Sequence, residues 1–158
     1  MASRHHIRSA PDHQQRIVTI AATANARWEG TLDDGSGTMS TATGLEGTFT
    51  KASRFADGGG TNPEELIGAA HAGCFSQFLA LLLSNNDTPP NSIETTAKVS
   101  IMVGDDGPAT NRIALSTVVD VDLSADEIAD FANQAKEGCP MSKALAGVPE
   151  ISLDVSKA

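Results

Sequence analysis

The chain carries two cysteines in 158 residues, and each sits where a sulfur could do chemistry. Cys74 lies in TNPEELIGAAHAGCF, inside an apolar run, and Cys139 lies in EGCPMSKAL, directly before Pro140. The thiolate, not the thiol, attacks electrophiles. A proline after Cys139 opens a helix there, and the free backbone N–H groups of that helix start favour a negative sulfur. An apolar helix around Cys74 does the opposite. It desolvates the thiolate and raises the thiol pKa unless a cation or hydrogen-bond donors lie nearby.

The residues alone leave several readings open. Free cysteine is among the most buried residue types, so packing is one role for Cys74. A lasting structural disulfide is disfavoured, because the N-terminus lacks the apolar run of a secretory signal and the expected compartment is the reducing cytoplasm. His71 precedes Cys74 by three positions on one helical face, which suggests a Cys–His dyad for acyl transfer, but with poor approach geometry and no visible oxyanion loop. Cys74, Cys139 and His71 would give zinc only three ligands without CxxC spacing. The cation of interest is Arg54 in KASRF; taken alone it reads as a surface residue.

These residues depend on the elements that hold them. Three β segments come first: residues 17–32, a return strand TMSTAT after the turn Asp33 to Gly37, and Gly47 to Ser53. The FADGGG loop lacks the lysine and hydroxyl of a phosphate cradle and reads as a connector. A long helix then runs from about Asn62 to Ser84. Either Thr61 caps it with Glu64 reaching back, or Asn62 caps it with Pro63 in the first turn and Glu65 reaching back. The second is preferred because it uses proline where proline is tolerated, and it leaves Glu64 free of the cap. The helix is apolar nearly all round, which points to a partner subunit covering it.

Two alternating strands follow, one with Ile93, Thr95, Ala97, Val99, Ile101 and Val103 inward, the other with Ile113, Leu115, Thr117, Val119 and Val121. The loop GDDGPATN joins them. Ser124 to Glu127 is a capping box for a helix that stops at Gly138, CPMSKALAG forms a short helix, and EISLDV closes as a strand. The order is βββ-α-ββ-αα-β, an α+β class. Residues 1–15 read as a flexible arm whose His5, His6 and His13 are solvated, and residues 16–158 as one domain.

Composition narrows the function. A formal charge of -9 argues against nucleic acid and anionic membrane surfaces. Aromatic content of 4% with no tyrosine disfavours a stacking platform for bases or sugars. No stretch of about 18 apolar residues is expected, hence no membrane span.

TNPEELIGAAHAGCF and EGCPMSKAL, in that order and 65 residues apart at their cysteines, resemble the OsmC/Ohr family of organic hydroperoxide reductases, and the OsmC branch most. The likeness extends to ARWEG, the SRF segment, NSIETTA and EISLDV, from about Ala22 onward. It implies an OsmC-like fold with antiparallel sheets wrapped around central helices in an intertwined homodimer. It further implies a thiol peroxidase in oxidative and osmotic stress defence, with Cys74 peroxidatic, Cys139 resolving, and Arg54 with Glu64 as the activating pair. No bound cofactor is implied; an external dithiol, lipoyl-type or on a lipoylated protein, would be the reductant. Phe75, Phe78, Met141 and Leu145 could form an apolar mouth for alkyl or fatty-acid hydroperoxides. The rival reading is a thiol redox sensor or small-ligand binding module without turnover.

One geometric demand follows. Ten residues of unbroken helix separate Glu64 from Cys74 by about 15 Å along the axis. For Arg54 to reach both, the helix should break or bend between Gly68 and Gly73.

Overall fold

A computed structural model describes residues 19–158. The expected arm over 1–15 and the start of the first expected strand lie outside the described residues. Among the described residues there are two three-stranded sheets and four helices. The first sheet is an antiparallel meander of β1 (Ala24–Glu29), β2 (Ser36–Thr41) and β3 (Glu46–Phe49). A short helix α1 (Lys51–Phe55) follows, and then the long helix α2 (Pro63–Asn85). The second sheet comprises β4 (Ser92–Gly104), β5 (Gly107–Asp120) and β6 (Glu150–Lys157). Helices α3 (Ala125–Gly138) and α4 (Pro140–Ala144) connect β5 to β6, so β6 returns parallel to β5.

The start of α2 follows its sequence signals. The Asn62 side chain accepts a hydrogen bond from the Glu65 N–H at 2.8 Å, with Pro63 in the first turn. Glu65 does not reach back to the Asn62 N–H as expected; its carboxylate receives the Thr61 hydroxyl at 3.0 Å, and Glu64 stays outside the cap. At α3 the Ser124–Glu127 capping box closes in both directions.

The core lies between α2, the second sheet and α3. Phe75, Leu79 and Leu83 meet Leu115, Val119 and Val121 from the sheet side and Ile128, Ala132 and Ala135 from α3; Cys139 closes one end. Inside this apolar layer, Ser76 donates to Thr95, which in turn bonds Thr117, so the hydroxyls of three elements satisfy one another. No residue of β1–β3 enters that core. The first sheet therefore stands apart from the layer that stabilises the rest of the described chain.

Four expectations need correction. The third strand ends at Phe49, and KASRF is helical: Thr50 and Ser53 cap each other, each side chain accepting from the other's backbone N–H. The β4–β5 turn contains only Asp105 and Asp106, because Pro108, Ala109 and Thr110 pair with Val103, Met102 and Ile101. The register skips Asn111 of β5 opposite Ser100 and Ile101, and the end of β4 beyond it is open on both faces, so Val103 and Met102 are both exposed and Val103 is not inward as expected. Finally, α2 is unbroken from Pro63 to Asn85. Gly68 serves a different purpose: a Cβ there would lie 3.1 Å from the Ala97 carbonyl, so glycine lets α2 approach β4 closely.

By length and composition α2 is also apolar enough to cross a membrane, which corrects the expectation that no such stretch exists. Its buried face, Gly68, His71, Phe75, Leu79 and Leu83, is committed to the protein's own core. Its other face, through Ala70, Gly73, Gln77 and Leu81, is exposed.

Gly138 ends α3 against the Phe78 ring, where an added Cβ would sit 2.4 Å from a ring carbon. Gly138→Ala should lower stability by about 1–3 kcal/mol through overpacking. A urea midpoint equal to wild type would contradict that packing.

Candidate active site

Arg54 is held by its helix and by the residue before it. Ser53 is buried, and its hydroxyl donates to the Thr61 carbonyl at 2.8 Å. The Asn62 amide donates back to the Ser53 carbonyl at 3.2 Å. These bonds stitch α1 to the start of α2. Gly60, at φ +108, makes the reversal between the two helices in a backbone region that L side chains rarely adopt.

The result is a fork-on-fork pair. Arg54 Nη2 lies 2.7 Å from Glu64 Oε1, and Arg54 Nε lies 3.2 Å from both carboxylate oxygens. Glu64 is largely covered, while about a third of Arg54 remains open. A charge-assisted bidentate pair fixes the plane of the guanidinium and leaves its remaining N–H groups for another anion. The hollow beside it is lined by Arg54, Glu64, Glu65, Val99 and Ile101.

The thiols meet elsewhere. Cys74 projects from the middle of α2 and packs against the core, half-buried, while Cys139 is fully buried between α3 and α4. Both are free thiols. Burial pushes the Cys74 thiol up, and the adjoining Cys139 side chain pushes it further. The Met141 backbone N–H, in the first turn of α4, acts the other way by bonding the sulfur. Arg54 is not among the groups acting on this sulfur.

His71 does not form a dyad with Cys74. It is completely buried, and its Nε2 lies 2.9 Å from the Ser142 hydroxyl on α4. Burial holds its pKa below 6.5, which keeps the ring neutral. Ser142 and the Met141 N–H were not singled out from the sequence. A histidine in an apolar run requires some partner, but only the fold identifies it as a serine 71 positions away.

Of the four residues expected to form an apolar mouth, Phe75 is wholly inside the core and offers no surface. Phe78 and Met141 pack partly buried against that core, and Leu145 caps α4 half-exposed. Among the described residues no cluster of His, Cys, Asp or Glu could hold a metal ion.

The chain thus presents two separate clusters. One is an oriented guanidinium at the start of α2; the other is a pair of neighbouring free thiols between α2 and α4. The unbroken helix keeps them apart, with Glu64 and Cys74 about 15 Å separated along its axis.

Comparisons with known proteins bear on this arrangement. A family model described as OsmC-like protein matches residues 56–154. Peroxiredoxin OsmC of Escherichia coli is 44% identical over 140 residues, covering 87% of this chain and 96% of that protein. Organic hydroperoxide resistance protein-like 1 of Staphylococcus saprophyticus is 35% identical over 101 residues, covering 61% of this chain and 70% of that one. The crystal structure of organic hydroperoxide resistance protein OhrB of Bacillus subtilis aligns with a TM-score of 0.69 at 25% identity, covering 88% of this chain and 98% of that chain.

The neutral buried His71 has a consequence for acid stability. In the unfolded chain it takes up a proton near pH 6.5, whereas the fold resists that proton. The contribution is present above that pH and lost as pH falls below it. The urea midpoint should fall between about pH 7 and pH 5, a window below which carboxylates take over. In His71→Gln the fall should flatten. An equal fall in both proteins would contradict the assignment.

Proposed function

The chain belongs to the OsmC-like family, and on that premise we propose that it is a peroxiredoxin-like reductase of organic hydroperoxides working through Cys74 and Cys139. The observation that carries this reading is the juxtaposition of two free thiols, one half-buried and one buried, on separate elements.

The chemistry proceeds in two steps. The Cys74 thiolate attacks the terminal peroxide oxygen. The O–O bond breaks, its electron pair leaves on the alkoxide, and a proton completes the alcohol. Sulfur is oxidised by two electrons to the sulfenic acid. Cys139 sulfur then attacks it, the S–S bond forms, the S–O bond breaks, and hydroxide leaves as water on taking a proton. An external dithiol, lipoyl-type, reopens the disulfide by exchange, so the cycle needs no bound cofactor. Phe78, Met141 and Leu145 would favour alkyl chains over hydrogen peroxide, with Phe75 supporting them from the core.

Activation requires a cation at Cys74, and the unbroken α2 keeps the chain's own Arg54 from supplying it. We assign that role to Arg54 of a second copy, oriented by the Glu64 of the same copy. Several surfaces favour a homodimer. The small-residue face of α2 is uncovered, and the first sheet stands outside the core. Leu45, Phe55, Met102 and Val103 are exposed at 60%, 44%, 56% and 68%. Exposed apolar area on that scale calls for a partner. The acidic chain, at -9, is unsuited to nucleic acid, and a reducing cytoplasm suits the cycle.

With an alkyl hydroperoxide and a dithiol, the wild type should turn over repeatedly. Cys74→Ser should abolish turnover, and Cys139→Ser should stop at a Cys74 sulfenic acid visible by mass spectrometry. Neither Cys74→Ser nor Arg54→Ala alone should work, yet co-assembled they should regain turnover, because one site of the mixed dimer is intact. Stoichiometric oxidation without turnover in wild type would favour a redox sensor. Failure of the mixture to recover would place Arg54 and Cys74 in one chain.

A further inference from the structure

We infer that His71 and Ser142 are positioning residues for the resolving step, a hydrogen-bonded strap that keeps Cys139 within reach of Cys74 after Cys74 is oxidised. The inference rests on the two-cysteine reading above.

The strap joins the same two elements as the thiols. His71 stands three positions before Cys74 on α2, and Ser142 stands three positions after Cys139 on α4. The His71 Nε2 to Ser142 Oγ bond, at 2.9 Å, therefore runs about one helical turn from the thiol contact on both sides. Both side chains are buried, His71 completely and Ser142 to 8% exposure, so water does not compete for the bond.

The element it holds needs holding. Helix α4 has five residues, and its cap residue Cys139 makes no side-chain capping bond. Its own first-turn bond is the Lys143 N–H to the Cys139 carbonyl at 3.1 Å. Without the strap, its tie to α2 would rest on the packing of Cys139 and Met141 and on the Met141 N–H at the Cys74 sulfur. The bond is also selective in what it can govern. The peroxide step needs only the Cys74 sulfur and the nearby Met141 N–H, whereas attack of Cys139 on the Cys74 sulfenic acid requires the two sulfurs in line. The uncompensated Nδ1 of His71 shows what the site gives up: a buried polar atom without a partner is tolerated to put an imidazole there.

The test is rapid-quench mass spectrometry of pre-reduced protein mixed with cumene hydroperoxide, following loss of the Cys74 thiol and appearance of the disulfide separately. Ser142→Ala and His71→Ala should leave thiol loss within about twofold of wild type but slow disulfide formation roughly tenfold or more, the scale of a misplaced reacting group. Sulfenic acid should accumulate, and excess peroxide should carry it to sulfinic acid. Ser142→Thr and His71→Gln, which keep a hydrogen bond in reach, should restore the disulfide rate. If His71→Ala does not fold, Ser142→Ala carries the test by removing one oxygen. Unchanged disulfide formation in Ser142→Ala, or both steps slowed alike, would overturn the strap. Wild-type turnover with no disulfide at all would instead sink the two-cysteine reading on which it rests.

Discussion

The structure turns on one unfavourable placement: the thiol that the proposed peroxidase cycle needs as a thiolate is carried by an apolar helix. Burial and the adjoining Cys139 both favour the protonated form of Cys74, and a single backbone N–H from Met141 opposes them. Left to its own chain, this sulfur would be a poor nucleophile at neutral pH. An enzyme built on it has to bring positive charge from elsewhere, and the rest of the fold can be understood from that need.

The guanidinium that could meet the need is prepared with care but at a distance. Ser53 locks α1 onto the start of α2, Gly60 turns the chain back, and Glu64, left free by the Asn62 cap, holds Arg54 in a bidentate pair. All of this orients a cation toward a hollow rather than toward the chain's own thiol. The uncovered face of α2 and the detached first sheet are what a chain would show if its site were completed by a second copy. On that account the apolar helix has two duties, core on one side and subunit contact on the other, and its continuity is the reason the site is split.

Much of this was legible in the sequence. The Asn62–Pro63 start, the spare Glu64, the Ser124 capping box and the alternation through Ile113 to Val121 all follow from local rules, and each is present. The misses have local causes too. Lys51 to Ser53 read as the end of a strand because five residues are too few to show a helical period, and the helix there depends on the reciprocal Thr50–Ser53 cap. Alternation places Val103 inward but does not show where the core ends, and past the unpaired Asn111 both Met102 and Val103 are exposed. The bend expected between Gly68 and Gly73 came from requiring one chain to complete the site. Glycine there instead allows close packing on Ala97. Ser142 was invisible, since its partner His71 lies far away in sequence and only the packing of α4 on α2 joins them.

The central claim is that a guanidinium from outside the chain reverses the protonation preference of Cys74. The direct measurement is the thiolate absorbance of the assembled protein across pH, compared with Arg54→Gln, both in a Cys139→Ser background so that one sulfur titrates. The account predicts ionisation well below the ordinary thiol range in the parent and a clear upward move when Arg54 is lost. Titration of Cys74 above the ordinary range in both proteins would contradict it.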